Sequence, residues 1–307
     1  MKNNELRFDI TDTSTTNPVD SAEIYRAALI EGGSKELFTP ILDVKDKARI
    51  KKGGLGNVLQ TDGCTFNDQG AGTLSEKLVD VCGIRINTEF CQSTLETSFV
   101  SHEMASGSNK ADFAPAQFRN YLTSELSAKM SADFEVVTWQ GDSATSSYPM
   151  GLCDGLLKQF GADATVVDVA ATASITSTNV IGEMNRVYDA LPEAVKFSPN
   201  MKIFVSSNVL GAYKQAVANA SSEAYYTKDA QPTFLGIELI LAQGLPSNRM
   251  VAAELNNLFL ISDLLADFQD IRILPMLDTT GDDTIRIVGR LKYAVSYAYG
   301  AEIVMYA

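Results

Sequence analysis

The stretch that most restricts this chain is APAQFRNYLTSELSAKMSADFEVVTWQGD, from Ala114 to Asp142. Pro115 suits a first helical turn, where its missing N–H costs nothing and its φ is already set. Phe118, Leu122, Leu126, Met130 and Phe134 then recur every four residues, with Tyr121 beside them. The spacing predicts a helix over Pro115–Glu135, about 20 residues and about 30 Å long, with one apolar stripe. The opposite face carries Arg119, Ser124, Glu125, Ser127, Lys129 and Asp133. Such a helix covers a sheet with one side and meets water or a neighbour with the other. The chain before this helix reads as extension, and the chain after it as compact α/β structure.

Residues 1–20 are polar and Thr-rich, with Phe8 and Ile10 as anchors, the composition of an arm that orders only against something else. Asp20 and Glu23 form a capping box for a short helix that ends at Gly32-Gly33. Its apolar face, Ile24, Ala27 and Ala28, is too small for a core element. In VKDKARIKK, Lys45, Lys47, Arg49 and Lys51 alternate, so on a strand they share one face. A Gly-, Asn-, Asp- and Thr-rich stretch comes next, then the strand-like LSEKLVDVCGIRI. This is a long two-stranded excursion. Isolated ribbons are marginal in water, so it is expected to lie on another molecule.

Beyond the long helix, Gly141, Gly151 and Gly155 mark tight turns. Val180, Ile181, Met184, Val187, Tyr188 and Leu191 make an amphipathic helix, KIFVS a buried strand, and Ser207 or Asn208 caps another helix. GIELILAQGLP, RMVAAE and NLFLISDL read as three short strands, and DIRILPML with TIRIVGRLKYAVSYAYG as a closing hairpin around the turn Asp278–Asp283. In the last strand Ile285, Ile287, Leu291, Tyr293, Val295 and Tyr297 share a face; Arg286, Arg290, Lys292 and Ser296 share the other.

Chemistry is sparse. His102 is the sole histidine, in a polar loop, which leaves a nucleophile–base pair with one base and no indicated nucleophile. Cys64, Cys82, Cys91 and Cys153 show neither CxxC nor zinc spacing, and free thiols are expected, with a disulfide as the alternative. Neither GGLG nor GAG matches a phosphate-binding fingerprint. Asp278, Asp282 and Asp283 lack the spacing of a calcium loop and read as a surface turn. No catalytic residue, metal or cofactor is expected. The net charge of −13 argues against general nucleic-acid binding. No window has the apolar length of a membrane span, and the N-terminus lacks a signal-peptide pattern.

The order of parts resembles a tailed-phage major capsid protein of the Hong Kong 97 type. The likeness rests on a polar arm, a basic two-stranded loop, a long helix ending in WQGD, the Gly-containing PMGLCDGLL, and a β-rich end closing with GRLKYAVSYAYGAEIV. The resemblance implies an α+β capsid fold with an N-terminal arm (1–40), an extended loop and its base (41–80), a peripheral domain with a spine helix (81–148 and 264–292) and an axial α/β domain (149–263 and 293–307). It implies self-assembly as hexamers and pentamers into an icosahedral virion shell, made in a host bacterial cytoplasm, around double-stranded DNA bound without sequence specificity. A separate scaffolding protein, a portal and decoration proteins are the expected partners, with no membrane. The Lys–Asn crosslink of some members is not indicated by any residue. Within the same architecture the alternative is an encapsulin-like compartment; the long glycine-rich loop and polar arm favour the phage reading. A soluble α/β enzyme is a different class, disfavoured by the single histidine and the missing nucleotide loop.

Expected inter-subunit contacts pair the basic face Lys45, Lys47, Arg49 and Lys51 with Asp267, Asp270, Asp278, Asp282 and Asp283 of a neighbour; Arg119 and Lys129 on the helix are further candidates. Each exposed pair contributes about 0–1 kcal/mol, a small term repeated throughout a shell. Deleting residues 1–18 is expected to leave a folded subunit and a weaker particle. A truncated chain that cannot fold would assign the arm to the core.

Overall fold

The computed structural model describes residues 33–54, 62, 72–91, 116–220, 232–263, 272–276, 280–282 and 284–307, and in the long helix the side chains from Ser124 onward. The expected arm, the short helix before Gly33 and the tip of the excursion lie outside these residues. In chain order the elements are β1 (Thr39–Ile41), β2 (Lys47–Gly54), β3 (Thr73–Asp80), β4 (Cys82–Cys91), α1 (Ala116–Gln140), α2 (Leu156–Ala162) and β5 (Val167–Val169). They continue as α3 (Val180–Ala190), α4 (Glu193–Lys196), β6 (Met201–Val205), α5 (Ser207–Ala220), β7 (Thr233–Phe234) and β8 (Ile237–Leu241). The chain closes with β9 (Met250–Glu254), β10 (Leu258–Ser262), β11 (Arg272–Pro275), β12 (Thr284–Tyr297) and β13 (Val304–Tyr306).

The long strand β12 organises a five-stranded sheet. One edge pairs with β10 and β11, the other with β4, and β1 joins parallel to β10. The expected alternation holds as far as Tyr293: Ile285, Ile287, Leu291, Tyr293, Val295 and Tyr297 are all buried, and beyond Tyr293 the other face, with Ala294 and Ser296, is buried too. α1 lies across this face, with Met130 and Phe134 buried and the Phe134 ring 5.0 Å from Tyr293. Thr138 and Tyr293 share a hydrogen bond through their hydroxyls.

α1 runs to Gln140, past the expected end at Glu135, so Thr138 and Trp139 belong to the helix and not to a turn. Glycine stops it. A Cβ on Gly141 would collide with the carbonyls of Cys153 and Val137, and the Gly155 amide donates to the Gly141 carbonyl at 2.8 Å. Two backbone segments thus touch where only glycine fits, and α1 turns directly into the second half of the chain.

That half is a six-stranded sheet, order β5-β13-β9-β6-β8-β7. β6 is buried on both faces, as the KIFVS run implied. Met201, Ile203 and Val205 meet α3 and α5 through Met184, Val187, Val209 and Ala212, whereas Phe204 faces the other way. Its ring sits 5.2 Å from Trp139 and 5.8 Å from Phe38, so one indole joins the two sheets.

Beneath that aromatic cluster lies a buried polar junction. Trp139 Nε1 donates to Ser34 Oγ at 2.8 Å, and the Ser34 hydroxyl and amide both donate to Glu135 Oε1. Lys35 is buried, with Nζ donating to the carbonyl and hydroxyl of Ser131 at 2.9 and 3.1 Å. Gly33 is required here: its φ is +78°, and a Cβ would strike the Glu135 carboxylate. Burial lowers the Lys35 ammonium to about 8, against the opposing pull of Glu135.

The cysteines correct the sequence expectation. Cys82 and Cys153 are bonded as a disulfide, with Cα atoms 5.9 Å apart. Spacing along the chain carried no sign of this, because the β4–β12 register and the Gly141–Gly155 contact bring the two together. Among the described residues no helix is long and apolar enough to cross a membrane, and no three His, Cys, Asp or Glu side chains gather around a common point.

The Lys35 environment sets a pH signature. Unfolded, this lysine holds its proton to 10.5; folded, only to about 8. Between those values the unfolded chain binds more protons, so the group's contribution favours folding increasingly as pH rises. Urea unfolding of the native protein and of Lys35→Met should differ by a constant below pH 8. From there to pH 10.5 the difference should move in favour of the native protein, by at most about 1.4 kcal/mol per pH unit. A difference that stays flat throughout would show that Lys35 titrates like an exposed lysine.

Candidate subunit interface

β2 and β3 form the expected ribbon, and its register decides what each face carries. Lys47 stands opposite Asp80, Arg49 opposite Leu78, Lys51 opposite Glu76 and Gly53 opposite Leu74. Directly opposed side chains share a face. The basic residues therefore do line one side of β2, but carboxylates of the same ribbon stand among them. Lys47 Nζ is 3.0 Å from Asp80, and Arg49 reaches Glu76 at 3.6 Å. Donating a hydrogen bond to the Asp80 carboxylate raises the Lys47 pKa. All four side chains are largely solvated, so each pair contributes little.

The reverse face corrects the expectation of a ribbon lying wholly on another molecule. Its base lies on this subunit's own sheet. Ala48 packs with Ile261 of β10 and Ala294 of β12, flanked by Ile41, Val44 and Val79, and Ile50 is buried too. Farther out, the Tyr299 hydroxyl accepts from the Gly53 amide at 3.1 Å and donates to the Gly53 carbonyl at 3.0 Å. In an antiparallel pair, residues alternate between pointing both backbone groups at the partner strand and pointing both away. Gly53 is of the second kind, and one tyrosine satisfies both groups.

On β3, Lys77 Nζ sits 3.4 Å from the Tyr297 ring centroid and donates to the Tyr297 carbonyl at 3.3 Å. Burial, then the charge of Lys52, lowers the Lys77 pKa to about 8, with Asp163 opposing. The Tyr297 hydroxyl donates to Asp163 at 2.8 Å. Asp163 is held down to about 2, first by the Thr165 hydroxyl and amide and then by Tyr297. Tyr297 to Tyr299 thus grips both strands of the ribbon.

What remains outward is apolar as well as charged. Leu74 is 90% exposed and Leu78 59% exposed, two residues either side of Glu76 on one face. Gly53 offers Leu74 no cross-strand side chain to lean on. Sequence reading missed these leucines, although LSEKL shows them four apart on a period-two strand, and it missed the Tyr299 contact, which has no local signal at all.

The other expected contact residues are dispersed. The Lys45 carbonyl accepts a hydrogen bond from Lys292 Nζ. Lys129 pairs with Asp133 at 2.7 Å along α1, and Arg119 lies in the part of α1 whose side chains are outside the described residues. Asp282 is exposed and accepts from Thr280 Oγ1 at 2.7 Å. Asp267, Asp270, Asp278 and Asp283 lie outside the described residues. Within one chain, Lys45 and Asp282 adjoin opposite ends of the Thr284–Lys292 segment of β12, roughly 27 Å apart at 3.4 Å per residue. Any pairing between those two sites must join different copies.

No family model matches this sequence, and no curated protein matches it. Solved structures do. A chain of the satellite phage P4 procapsid that includes the size determination protein superposes with a TM-score of 0.60 at 14% identity, over 93% of this chain and 96% of that one. A capsid chain of the empty GTA particle gives 0.59 at 12% identity, over 96% and 94%. The virus-like particle from Pyrococcus furiosus gives 0.54 at 9%, over 94% and 96%. The class of protein is defined by these end-to-end matches: the chain has the α+β fold of Hong Kong 97-type shell proteins. Identity this low speaks to the fold alone.

Removing the Tyr299 hydroxyl tests the grip on the ribbon. Tyr299→Phe should lower the melting temperature by no more than a few degrees, since the two lost hydrogen bonds contribute about 0.5–1.5 kcal/mol each. Amide hydrogen exchange over residues 47–54 should rise several-fold while the six-stranded sheet stays protected. Unchanged exchange at Gly53 would mean that the tyrosine does not hold the strand.

Proposed function

We propose that this chain is the major capsid protein of a tailed phage, a subunit that assembles with copies of itself into an icosahedral shell around double-stranded DNA. The observation that carries the reading is the full-length likeness to capsid chains, joined to a ribbon that leaves its own sheet with two bare leucines outward. In this reading the axial domain surrounds the centre of each capsomer and the peripheral domain, with α1 as spine, meets neighbouring capsomers. The acidic balance suits a container whose wall does not grip packaged DNA. A scaffolding protein, a portal and decoration proteins are the partners such a shell requires.

Magnitudes decide which contacts matter most. Burying a leucine stabilises by about 1.5–3 kcal/mol, whereas an exposed ion pair contributes about 0–1 kcal/mol. Leu74 and Leu78 therefore hold the neighbour, and Lys45, Lys47, Arg49 and Lys51 mainly set its approach. Lys47 and Arg49 already have carboxylates beside them, so a neighbour's acid replaces one partner with another. Two further exposed apolar residues, Phe197 at 78% and Leu235 at 60%, precede the adjacent parallel strands β6 and β8. They share the sheet end remote from the α1 junction, which suits contact with other copies around a capsomer axis.

Expressed protein should run as capsomers or larger on size exclusion and show hollow shells by negative-stain microscopy; a stable monomer at high concentration would overturn the proposal. The double variant Leu74→Glu, Leu78→Glu should keep the native circular dichroism and melting temperature but lose shells. Shells formed at native yield by that variant would remove the ribbon leucines from the interface. Nucleic acid inside particles from the native source distinguishes a virion from an encapsulin-like compartment.

A further inference from the structure

We infer that Cys82 and Cys153 form a redox-gated staple, closed after the subunit has folded, that ties the root of the ribbon to the turn leading into the axial half of the chain. Cys82 is the first residue of β4, separated from β3 by Val81 alone, and stands opposite Tyr293 of β12. Cys153 directly succeeds the Met150–Leu152 turn and is buried, while Cys82 is half-buried. Their Cα separation of 5.9 Å lies within the range a disulfide accepts without backbone movement. Reduced, both side chains pack as small apolar groups, so the fold accommodates either state.

Folding must come first. The two residues are 71 apart in sequence and meet only once β4 has paired with β12 and α1 has turned back at Gly141. In a reducing compartment the pair stays as thiols; it closes when the folded subunit meets a low-molecular-weight disulfide. The Cys82 thiolate, on the solvent side, attacks one sulfur of that reagent and expels one thiolate. The Cys153 thiolate then attacks the Cys82 sulfur of the mixed disulfide and expels the second. The protein loses two electrons and two protons, and the reagent becomes two thiols.

The closed loop contains β4 and α1, so the bond constrains much of the unfolded chain. Because Cys82 roots the ribbon, the bond also gives a covalent path for load from the ribbon to the axial half. That consequence rests on the proposed capsid function; the chemistry does not.

The test uses the full-length subunit held in reduced or in oxidised glutathione, then denatured, alkylated and mapped without reduction. The oxidised sample should yield a linked peptide pair joining Cys82 and Cys153 and melt several degrees above the reduced one. Cys82→Ser should fold, melt like the reduced native protein, and not respond to glutathione. Alkylation of both Cys82 and Cys153 after oxidised glutathione would overturn the inference, as would a bond that forms without raising the melting temperature. All readouts are made on the subunit, so a failure to form shells leaves them unaffected.

Discussion

The structure depends on one indole. Trp139 is fully buried between Phe38, which leads into the five-stranded sheet, and Phe204 of the six-stranded sheet. Its N–H is bound to Ser34, and Ser34 is bound to Glu135 one helical turn before the tryptophan. Apolar burial here supplies energy, and the polar contacts supply direction: Ser34 links the indole N–H to one oxygen of the Glu135 carboxylate, while the other oxygen is buried without a hydrogen-bond partner among the described residues. Gly244 completes the fit, since a Cβ there would run into the Glu135 carbonyl. Two sheets of different topology are thereby fixed to a single helix.

How much of this the sequence disclosed depends on the range of each interaction. Periodicity is local, so α1, α3, the β6 strand and the two faces of β12 were all readable, while the resemblance to the architecture came from the order of polar arm, basic two-stranded loop, long helix, glycine-containing PMGLCDGLL and β-rich end. Glu135 was not readable as a core residue. A carboxylate at the end of an apolar stripe looks like a helix terminus until its partner, about 100 residues earlier, is in place. The Cys82–Cys153 bond and the Tyr299–Gly53 contact are hidden for the same reason: each joins segments that the sheets bring together from far apart.

The ribbon shows a subtler limit. Alternation of charge in VKDKARIKK identified a basic face, and the register then supplied Asp80 and Glu76 beside it. A single strand's pattern says which residues share a side; it does not say what stands opposite. Expectation moved from charge to the leucines of β3 once both strands were seen together. The same face explains why the ribbon is not marginal: Ala48 gives it a small core shared with β10 and β12, and Ile50 on the same side of β2 is buried.

The Tyr299 hydroxyl also covers part of the ribbon's strand edge at Gly53. An open strand edge is a template for pairing with any other chain. By occupying both backbone groups of Gly53, a side chain stands where a foreign strand would otherwise begin to pair, and it does so without adding a strand of its own. At Gly53 the strand edge is thus closed to sheet growth, while the Leu74 and Leu78 side chains stay exposed.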